Sequence, residues 1–398
     1  MLEECIRVLQ STSLTDWSLP GATFQNCYNQ SSDKQDCIGR YLQAHEATTL
    51  RCQAPILLDR PSERSLFFPH GRLKESYDVP LAALRLDAIP LAQIVGEKFV
   101  VISHDLKVFS ESYWAEQNLN DGVHFFHQPS TIVGAGSIRL RPTILFHDRP
   151  SKRRIDGPAI LLGNPWSFNY HHWMINCLSR LWWTDRYPEL REAPLIVPGQ
   201  LKPFQQQSLA AMGLSSHRIL PFDGGPWRVE RLFFPANGDF WPTQLRWIRQ
   251  RLFDHYEIVD APGSRLLYIS REDASGRRII NEQEVIRYLA ARGFEILRLS
   301  TIPLSEQVQA FSQARLVVGP HGSGLTNILF GPGNLGVVEL HPNDEINHVF
   351  WVLASAMQQQ YAFLSGKRMN PDRDFVVGVA DLDEMIGKVL SPRPGFAE

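Results

Sequence analysis

The sequence predicts an α/β fold with a parallel, doubly wound sheet in its C-terminal half. Beyond residue 240, short apolar runs rich in Val, Leu and Ile alternate with longer amphipathic runs, as strands and helices do in such sheets. One apolar run leads into the glycine-rich segment 319–324, a feature typical of the ligand-binding edge of these folds. The 398 residues, 43% hydrophobic and 21% charged, suffice for two or three globular domains.

The first 150 residues carry the weakest pattern. Apolar runs at 54–58 and 65–69 predict short strands, and the runs at 99–103 and 106–110 predict the two arms of a hairpin. We therefore expect an irregular, β-containing N-terminal region.

Residues 151–260 are predicted to form a first Rossmann-like unit. A basic, polar loop at 149–157 precedes it, and the turn at 260–263 ends it. The predicted elements are a strand at 159–162, a helix at 170–184, a strand at 194–198, a helix at 203–212 closed by Gly213, and a helix at 243–256.

Residues 261–370 are predicted to form a second Rossmann-like unit, followed by a C-terminal strand and helix over 371–398. Asp381 is predicted to cap the last helix, at 382–390. The elements predicted before it are strands at 265–269, 294–298, 315–318 and 336–340 and helices at 281–292, 305–314 and 325–330.

Composition and targeting signals exclude several classes of protein. A net charge of -2, from 40 basic and 42 acidic residues, leaves no overall positive field for nucleic acid, so no nucleic-acid partner is expected. The N-terminus lacks the apolar core of a signal peptide, and no apolar run is long enough to span a membrane. The five cysteines lack a C-x-x-C spacing, so we expect free thiols in a reducing compartment, with an N-terminal disulfide as the alternative.

The segment 319–324, Gly-Pro-His-Gly-Ser-Gly, predicts a phosphate-binding turn. Gly322 and Gly324 let the backbone approach an anion closely, and the helix that follows offers N–H donors and a partial positive charge. His321 and Ser323 add side-chain donors. Because the spacing is not G-x-G-x-x-G, a nucleotide diphosphate is favoured over a dinucleotide, and an ordinary glycine-rich turn is the alternative.

Further candidate ligands follow neighbouring predicted strands. Arg271, Arg277 and Arg278 lie on one loop after the strand at 265–269, where forked hydrogen bonds could neutralise a diphosphate. Glu339 ends the strand after the glycine-rich turn, near the usual place of the acid that binds ribose hydroxyls. A solvated basic loop and a core-facing glutamate are the alternatives.

Two adjacent histidines open the helix predicted at 170–184. His171 or His172 could take a proton from an attacking hydroxyl, and Trp173 could stack on a sugar ring. Adjacent helix residues point about 100° apart, so only one of the two histidines can face a given site. A purely structural histidine is the alternative.

Metal binding is not expected. The histidine candidates are His124 with His127 and His341 with His348, and no carboxylate or thiolate is spaced in the sequence to complete either set. Two D-x-D motifs, Asp372 to Asp374 and Asp381 to Asp383, lie beyond the nucleotide-like unit and are set aside.

Taken together, these motifs resemble glycosyltransferase family 61. The matching elements are the S-R…R-x-x-x-N loop from Ser270 to Asn281, the turn and helix start at 319–327, the V-x-E-L strand at 337–340 and Tyr170-x-His172-Trp173. The resemblance covers roughly residues 155–365 and implies a GT-B-like fold, in which two Rossmann-like domains face a cleft.

The resemblance also implies roles for individual residues. The nucleotide diphosphate would be held by Arg271, Arg277 or Arg278, Asn281, Asn327 and the turn His321, Gly322, Ser323 and Gly324, with Glu339 on the ribose. His172 would act as catalytic base and Arg271 as a catalytic cation, with Asn169, His171 and Trp173 on the acceptor side. The domains implied are 1–150 with the start of the acceptor side, 151–260 for the acceptor and 261–370 for the donor.

The activity implied is inverting, metal-independent transfer from a nucleotide sugar, commonly UDP-linked, without a further cofactor. The acceptor would be an oligosaccharide or lipid-linked glycan in capsule, exopolysaccharide or lipopolysaccharide synthesis, at the cytoplasmic side of a membrane. Contact of Trp182-Trp183 with a membrane surface and a homodimer stay open. A non-catalytic nucleotide-sugar or glycan-binding protein is the main alternative, and a magnesium-dependent phosphotransferase is the other.

Overall fold

A computed structural model describes most of the chain as two compact units. The described residues are 5–12, 19–20, 40–58, 75–105, 107–109, 144–148, 151–235, 239–343 and 346–391. The first unit comprises residues 1–47, 82–206 and 213–239, and the second comprises 48–81, 207–212 and 240–398.

The first unit is built on a mixed sheet of eleven described strands. The strands are β1 (Cys5–Thr12), β2 (Leu19–Pro20), β3 (Arg40–His45), β6 (Leu84–Val95), β7 (Val100–Ile102), β8 (Lys107–Phe109), β9 (Ile144–Asp148), β10 (Arg153–Leu161), β11 (Leu195–Pro198), β12 (Ile219–Phe222) and β13 (Trp227–Pro235). Nine of them run in the spatial order β12-β11-β10-β13-β6-β7-β8-β1-β9, and β3 pairs with both β2 and β6.

Four parallel strands of this sheet have a Rossmann-like order. Numbered along the chain from β10, their spatial order is 3-2-1-4, because β11 and β12 continue from one edge of β10 while β13 pairs with the other. The order reverses between β10 and β13. In open α/β sheets, ligands bind beyond the carboxyl ends of the strands at such a point.

The helical stretch after β10 is not a uniform α-helix. It consists of α1 (Tyr170–His172), a π-helical turn (Trp173–Cys177), a 3-10 turn (Leu178–Leu181) and α2 (Trp182–Arg186). The sequence predicted one helix over 170–184, and the apolar pattern alone does not distinguish these hydrogen-bond registers. Single π turns inside helices occur frequently at functional sites.

The second unit contains a six-stranded sheet and a separate antiparallel pair of strands. The strands are β4 (Thr48–Gln53), β5 (Ser76–Leu81), β14 (Arg265–Ile269), β15 (Phe294–Leu297), β16 (Ala314–Pro320), β17 (Gly336–Pro342), β18 (Gln360–Arg368) and β19 (Phe375–Val376). The sheet has the order β15-β14-β16-β17-β18-β19, and β4 pairs with β5. The first five strands of the large sheet are parallel, and β19 is antiparallel.

The chain order of this sheet, 2-1-3-4-5 from β14, is the other common doubly wound order, with its reversal between β14 and β16. Its central strands β16 and β17 are almost wholly buried and largely apolar, as expected for strands covered on both faces. The helices in chain order are α3 (Pro203–Ala211), which is divided between the units, α4 (Pro242–His255), α5 (Glu282–Ala290), α6 (Leu304–Ser312), α7 (Val349–Ala356) and α8 (Val379–Leu390).

Several sequence predictions are met closely and others are not. The strand predicted at 265–269 and the hairpin of β7 with β8 are present. The helix predicted at 325–330 is a 3-10 helix (Ser323–Phe330), and part of the loop predicted at 149–157 is strand, since β10 begins at Arg153. The last helix begins at Val379 with Gly378 as N-cap, so Asp381 lies inside its first turn.

The division of the chain also differs from the predicted one. The boundary falls after Asp239 instead of at 260–263, since α4 contacts the 3-10 helix of the second unit. Residues 48–81 belong to the second unit, where Ile56 bridges to Ala362 and Trp351 Nε1 donates to the Gln53 carbonyl. Such long-range pairing leaves no local signal in the sequence.

The tryptophan pair and the described cysteine side chains lie inside the protein. Trp182 and Trp183 are both buried, which agrees with a core role. Cys52 and Cys177 are buried free thiols, whereas the other three cysteine side chains and the strand predicted at 65–69 lie outside the described residues. Within the described ranges, every helix is too short or too polar to cross a bilayer.

Candidate functional sites

The reversal point of the second unit brings two predicted motifs together. β14 and β16 pair in parallel with Tyr268 opposite Val318, so both strands end at the same edge of the sheet. The loop carrying Arg271 leaves β14 at this edge, and the turn at Gly322 leaves β16 there. The sheet topology therefore places the arginine loop beside the glycine turn.

Arg271 lies directly across Gly322. A Cβ atom added to Gly322 would be 1.8 Å from Arg271 Nη1, so only glycine leaves room for the guanidinium here. Arg271 Nη2 donates to the Gly276 carbonyl at 3.1 Å, which fixes the group over the turn. Burial, followed by the nearby charge of Arg277, lowers the pKa of Arg271 to about 10.

Positive charge is concentrated around this turn. The charge of Arg277 lowers the pKa of both Arg271 and His321, although burial is the larger cause for each. Asp273 and Glu282 act on Arg271 in the opposite sense. Cations held near one another by a fold are stabilised by an anion between them, so this geometry suits a phosphate or diphosphate.

Close packing and hydrogen bonds fix the conformation of the residues that follow Gly322. Ser323 begins the 3-10 helix with Gly322 at its N-cap, and Gly324 packs so closely that a Cβ would lie 2.9 Å from Leu299 Cδ1. Asn327 is fully buried, and its Nδ2 donates to Gln307 Oε1 and to the Gly324 carbonyl. Asn327 therefore holds the shape of the turn instead of presenting its amide to a ligand.

Glu339 does not occupy the position predicted for a ribose ligand. Its side chain is fully buried, His321 Nδ1 lies 2.5 Å from Oε1, and Tyr361 donates its hydroxyl to Oε2 at 2.5 Å. Burial alone would raise the pKa of Glu339, but His341 and His321 hold it well below its usual range. The carboxylate thus anchors His321 beneath the turn, and the alternative of a core-facing glutamate is the one that this geometry supports.

The same residues form a potential metal-binding group. Ligand atoms of His321, Glu339 and His341 lie within 4.8 Å of one another, so His341 has the carboxylate neighbour that its sequence spacing did not reveal. However, two ligands on a tetrahedral zinc ion at about 2.0–2.1 Å would be roughly 3.3 Å apart. The 2.5 Å contact from His321 to Glu339 is a hydrogen-bond distance, so the group is built as a hydrogen-bonded network.

Two other predicted donor ligands are engaged elsewhere in the second unit. The Arg278 guanidinium bonds to Asp374 Oδ2 at 2.7 and 3.1 Å, and this pairing lowers the pKa of Asp374 to about 2. Asn281 exchanges hydrogen bonds with the backbone of Val377 through both its amide oxygen and its amide nitrogen. Both side chains bind the C-terminal segment. Asp374 of the D-x-D motif is engaged in the ion pair with Arg278.

In the first unit, the predicted acceptor-side residues have mainly structural places. Asn169 caps α1 by accepting from the His171 backbone N–H at 2.9 Å. His171 is buried, and Trp173 is fully buried, so Trp173 offers no face for sugar stacking. The position of Trp173 therefore contradicts its predicted acceptor role.

His172 remains half-buried at the start of the helical stretch that follows β10. Its Nδ1 lies 2.8 Å from Asn176 Oδ1, and its ring packs against Trp166 with centroids 5.9 Å apart. Burial lowers the pKa of His172, while Asn176 and then Asp239 act to raise it. A neutral imidazole in this setting can accept a proton near neutral pH.

The sequence analysis missed the two residues behind His172. Asn176 Nδ2 donates to Asp239 Oδ1, and Asp239 follows the carboxyl end of β13. The i to i+4 spacing of His172 and Asn176 on a predicted helix was a usable signal. Asp239 had none, because only the pairing of β10 with β13 brings the two loops together.

Comparison with known proteins agrees with these motifs. A family model described as "Glycosyltransferase 61" matches residues 170–338. The beta-1,2-xylosyltransferase XYXT1 of Oryza sativa subsp. japonica is 30% identical over 174 residues, which are 40% of this chain and 35% of the rice protein. The match therefore spans about a third of that curated relative.

Among solved structures, the chain is matched to the dodecameric iron-containing heptosyltransferase TibC in complex with ADP-D-beta-D-heptose. The identity is 11%, the match covers 94% of this chain and 98% of that chain, and the TM-score of 0.29 is too low to carry an argument. The family model and the motifs that it spans, from Tyr170 to the strand β17, support one conclusion: residues 170–338 of this chain are similar to glycosyltransferase family 61.

Proposed function

We propose that this protein is an inverting glycosyltransferase that uses a nucleotide sugar and needs no metal ion. The single observation that carries the proposal is the position of Arg271 across Gly322, with Arg277 and His321 nearby. The family match and the rice xylosyltransferase relative support sugar transfer as the reaction class.

The second unit would bind the donor. A nucleotide diphosphate brings negative charge that Arg271 and Arg277 can neutralise, and the backbone N–H groups at the start of the 3-10 helix can add hydrogen bonds. Because Nδ1 of His321 is engaged by Glu339, His321 would supply a further donor through Nε2 in its protonated form, which the negative charge of the bound diphosphate would favour. These fixed cations would take the place of the divalent ion that other transferases use to stabilise the leaving group.

The reaction would be a single displacement. The acceptor hydroxyl oxygen forms a bond to the anomeric carbon while the bond from that carbon to the diphosphate oxygen breaks, and the diphosphate leaves with the electron pair. The proton of the acceptor hydroxyl passes to His172, and the anomeric configuration inverts. As charge develops on the leaving diphosphate, its interaction with Arg271 strengthens, which lowers the barrier.

The donor that we propose is UDP-linked, and a pentose such as xylose is a leading candidate because the rice relative is a xylosyltransferase. The acceptor that we propose is a glycan hydroxyl of a growing polysaccharide. His172 and the relatively exposed Phe168, whose side chain is 50% exposed, lie in the same unit and mark the surface where acceptor binding should be sought.

A thermal-shift panel of nucleotide sugars, each with and without EDTA, tests the proposal. Binding to the folded state raises Tm by mass action, so a UDP-sugar should raise it equally in both conditions. The positive sugars are then incubated with oligosaccharide acceptors, and release of UDP is measured with formation of product. Binding without release of UDP or product would favour a non-catalytic nucleotide-sugar-binding protein.

A further inference from the structure

A chain of hydrogen bonds in the first unit connects two loops at the carboxyl edge of its parallel strands. His172 Nδ1 contacts Asn176 Oδ1 at 2.8 Å, and Asn176 Nδ2 donates to Asp239 Oδ1. His172 and Asn176 belong to the helical stretch after β10, whereas Asp239 lies just after β13. These hydrogen bonds thus connect the two loops at the point where the strand order of this sheet reverses.

The direction of these hydrogen bonds follows from the charge of Asp239. An ionised carboxylate only accepts, so it must receive the amide N–H of Asn176, which turns the amide oxygen towards His172. An amide oxygen also only accepts, so His172 must carry its proton on Nδ1. The neutral ring then has its lone pair on Nε2, the nitrogen that can act as a base.

Charge balance supports an ionised Asp239. Arg180 is buried, and Nη1 donates to the carbonyls of Leu161 and Gly163 at 3.1 and 2.9 Å. A buried guanidinium needs a compensating charge, and Asp239 interacts with it electrostatically. Cys177 does not compete, because burial raises its pKa to about 11 and the thiol is neutral at pH 7. Burial raises the pKa of Asp239, while Asn176, His172 and Arg180 oppose that rise.

We propose that Asn176 and Asp239 are positioning residues that fix the Nδ1–H tautomer of His172 and stabilise its protonated form. This inference rests on the proposed function, in which His172 accepts the acceptor proton. When that proton arrives at Nε2, the ring becomes a cation, and the carboxylate of Asp239 stabilises it through the polarised amide of Asn176. The amide thereby transmits an effect that a serine-type triad obtains by direct contact.

Nitrogen-15 spectroscopy of the full chain tests the tautomer without any assay of activity. The chain has 13 histidines, so the His172 signal is identified by its loss in His172→Gln. In the wild type above the His172 pKa, we expect the proton on Nδ1. In Asp239→Asn, we expect a mixture of tautomers and a lower His172 pKa, because the nearby negative charge is gone. A wild-type proton on Nε2, or an unchanged tautomer and pKa in Asp239→Asn, would overturn the proposal.

Steady-state kinetics give the second readout. Asp239→Asn should lower kcat by about 100-fold, less than the roughly 10⁴-fold loss seen when a directly bonded triad aspartate is changed, and leave the donor KM unaltered. Asp239→Glu, which keeps the charge, should recover part of kcat. Asp223→Asn, at an exposed carboxylate of the same unit, is the matched control and should behave as wild type.

The two readouts separate failure of the inference from failure of the proposed function. If His172→Gln inactivates the enzyme but Asp239→Asn keeps a normal kcat, Asp239 does not position His172. The proposed function would still hold. If the wild-type protein transfers no sugar, the proposed function is wrong. The tautomer of His172 in the wild type would still decide whether Asp239 and Asn176 orient the ring. If Asp239→Asn does not fold, the wild-type spectrum alone decides.

Discussion

The two units place their candidate functional side chains at equivalent edges of their parallel strands but surround them with different charges. In each, a reversal of strand order falls between two parallel strands, β10 and β13 in the first unit and β14 and β16 in the second. In the first, Asn176 links His172 to Asp239 by hydrogen bonds, and Asp239 interacts electrostatically with the buried Arg180. In the second, burial and then the charge of Arg277 lower the pKa of Arg271, and burial and Arg277 act in the same direction on the pKa of His321.

This difference shows how charge rather than topology assigns chemistry to a sheet edge. A charge-balanced edge that buries a histidine with a lowered pKa suits proton transfer at neutral pH. An edge with close cations suits an anionic ligand that completes the balance. Changes in the first unit should therefore alter turnover, whereas changes in the second should alter donor binding as well.

The largest expected effect separates proton transfer from binding. His172→Gln should lower kcat by about 10²–10⁴-fold, the usual contribution of a general base, with the donor KM close to wild type. Because burial lowers the pKa of His172, the wild-type kcat should decline only below about pH 6.5, the usual histidine pKa. A pH–rate profile measures both. Wild-type turnover in His172→Gln would remove the first unit from the chemistry.

Arg271→Ala tests the cation cluster. We expect kcat/KM to fall by about 10²–10³-fold, because a preorganised positive charge on the leaving diphosphate is lost. Tm should change little, since the replacement also removes the repulsion between Arg271 and Arg277. Kinetics and thermal unfolding of the same sample provide both values.

Arg278→Ala is the matched control for Arg271→Ala, because it removes an arginine from the same loop. Arg278 is paired with Asp374, so its loss should lower Tm and leave the donor KM near wild type. Equal kinetic losses in the two variants would contradict the assignment of Arg271 as the donor cation.

Gly322→Ala sharpens the geometry. The new Cβ would meet Arg271 Nη1 at 1.8 Å, and the flexible arginine end can move aside, so the fold should survive while the guanidinium leaves its place. Donor affinity, measured by calorimetry, should fall by about tenfold, or roughly 1.4 kcal/mol. Gly333→Ala is the control, because a Cβ there meets no atom within 4 Å. Unchanged donor affinity in Gly322→Ala would separate the turn from the donor.

The smallest effect expected is that of metal removal. The contact between His321 and Glu339 is a hydrogen bond, so dialysis against EDTA should change neither transfer activity nor Tm. Complete loss of activity that manganese restores would show that a metal ion separates these side chains in the working enzyme.

Much of the second unit was predictable because its signals are local. The strand at Arg265–Ile269 and the turn at 319–324 each follow from a short run of residues, and parallel strands necessarily end at a common edge. The roles of Glu339 and Arg278 were not predictable. Their partners, Tyr361 and Asp374, lie 22 and 96 residues away along the chain, and the sequence does not reveal which side chains meet across that distance.

The sequence by itself determined the alternation of strands and helices, the glycine turn and the resemblance of residues 170–338 to glycosyltransferase family 61. Only the tertiary structure decided which charged groups form ion pairs or hydrogen bonds within the fold and which influence one another at a sheet edge. The physical reason is that the apolar periodicity that predicts a helix or a strand is local in the chain. The charge and proton position of His172 or Arg271 depend instead on groups that folding brings from other segments.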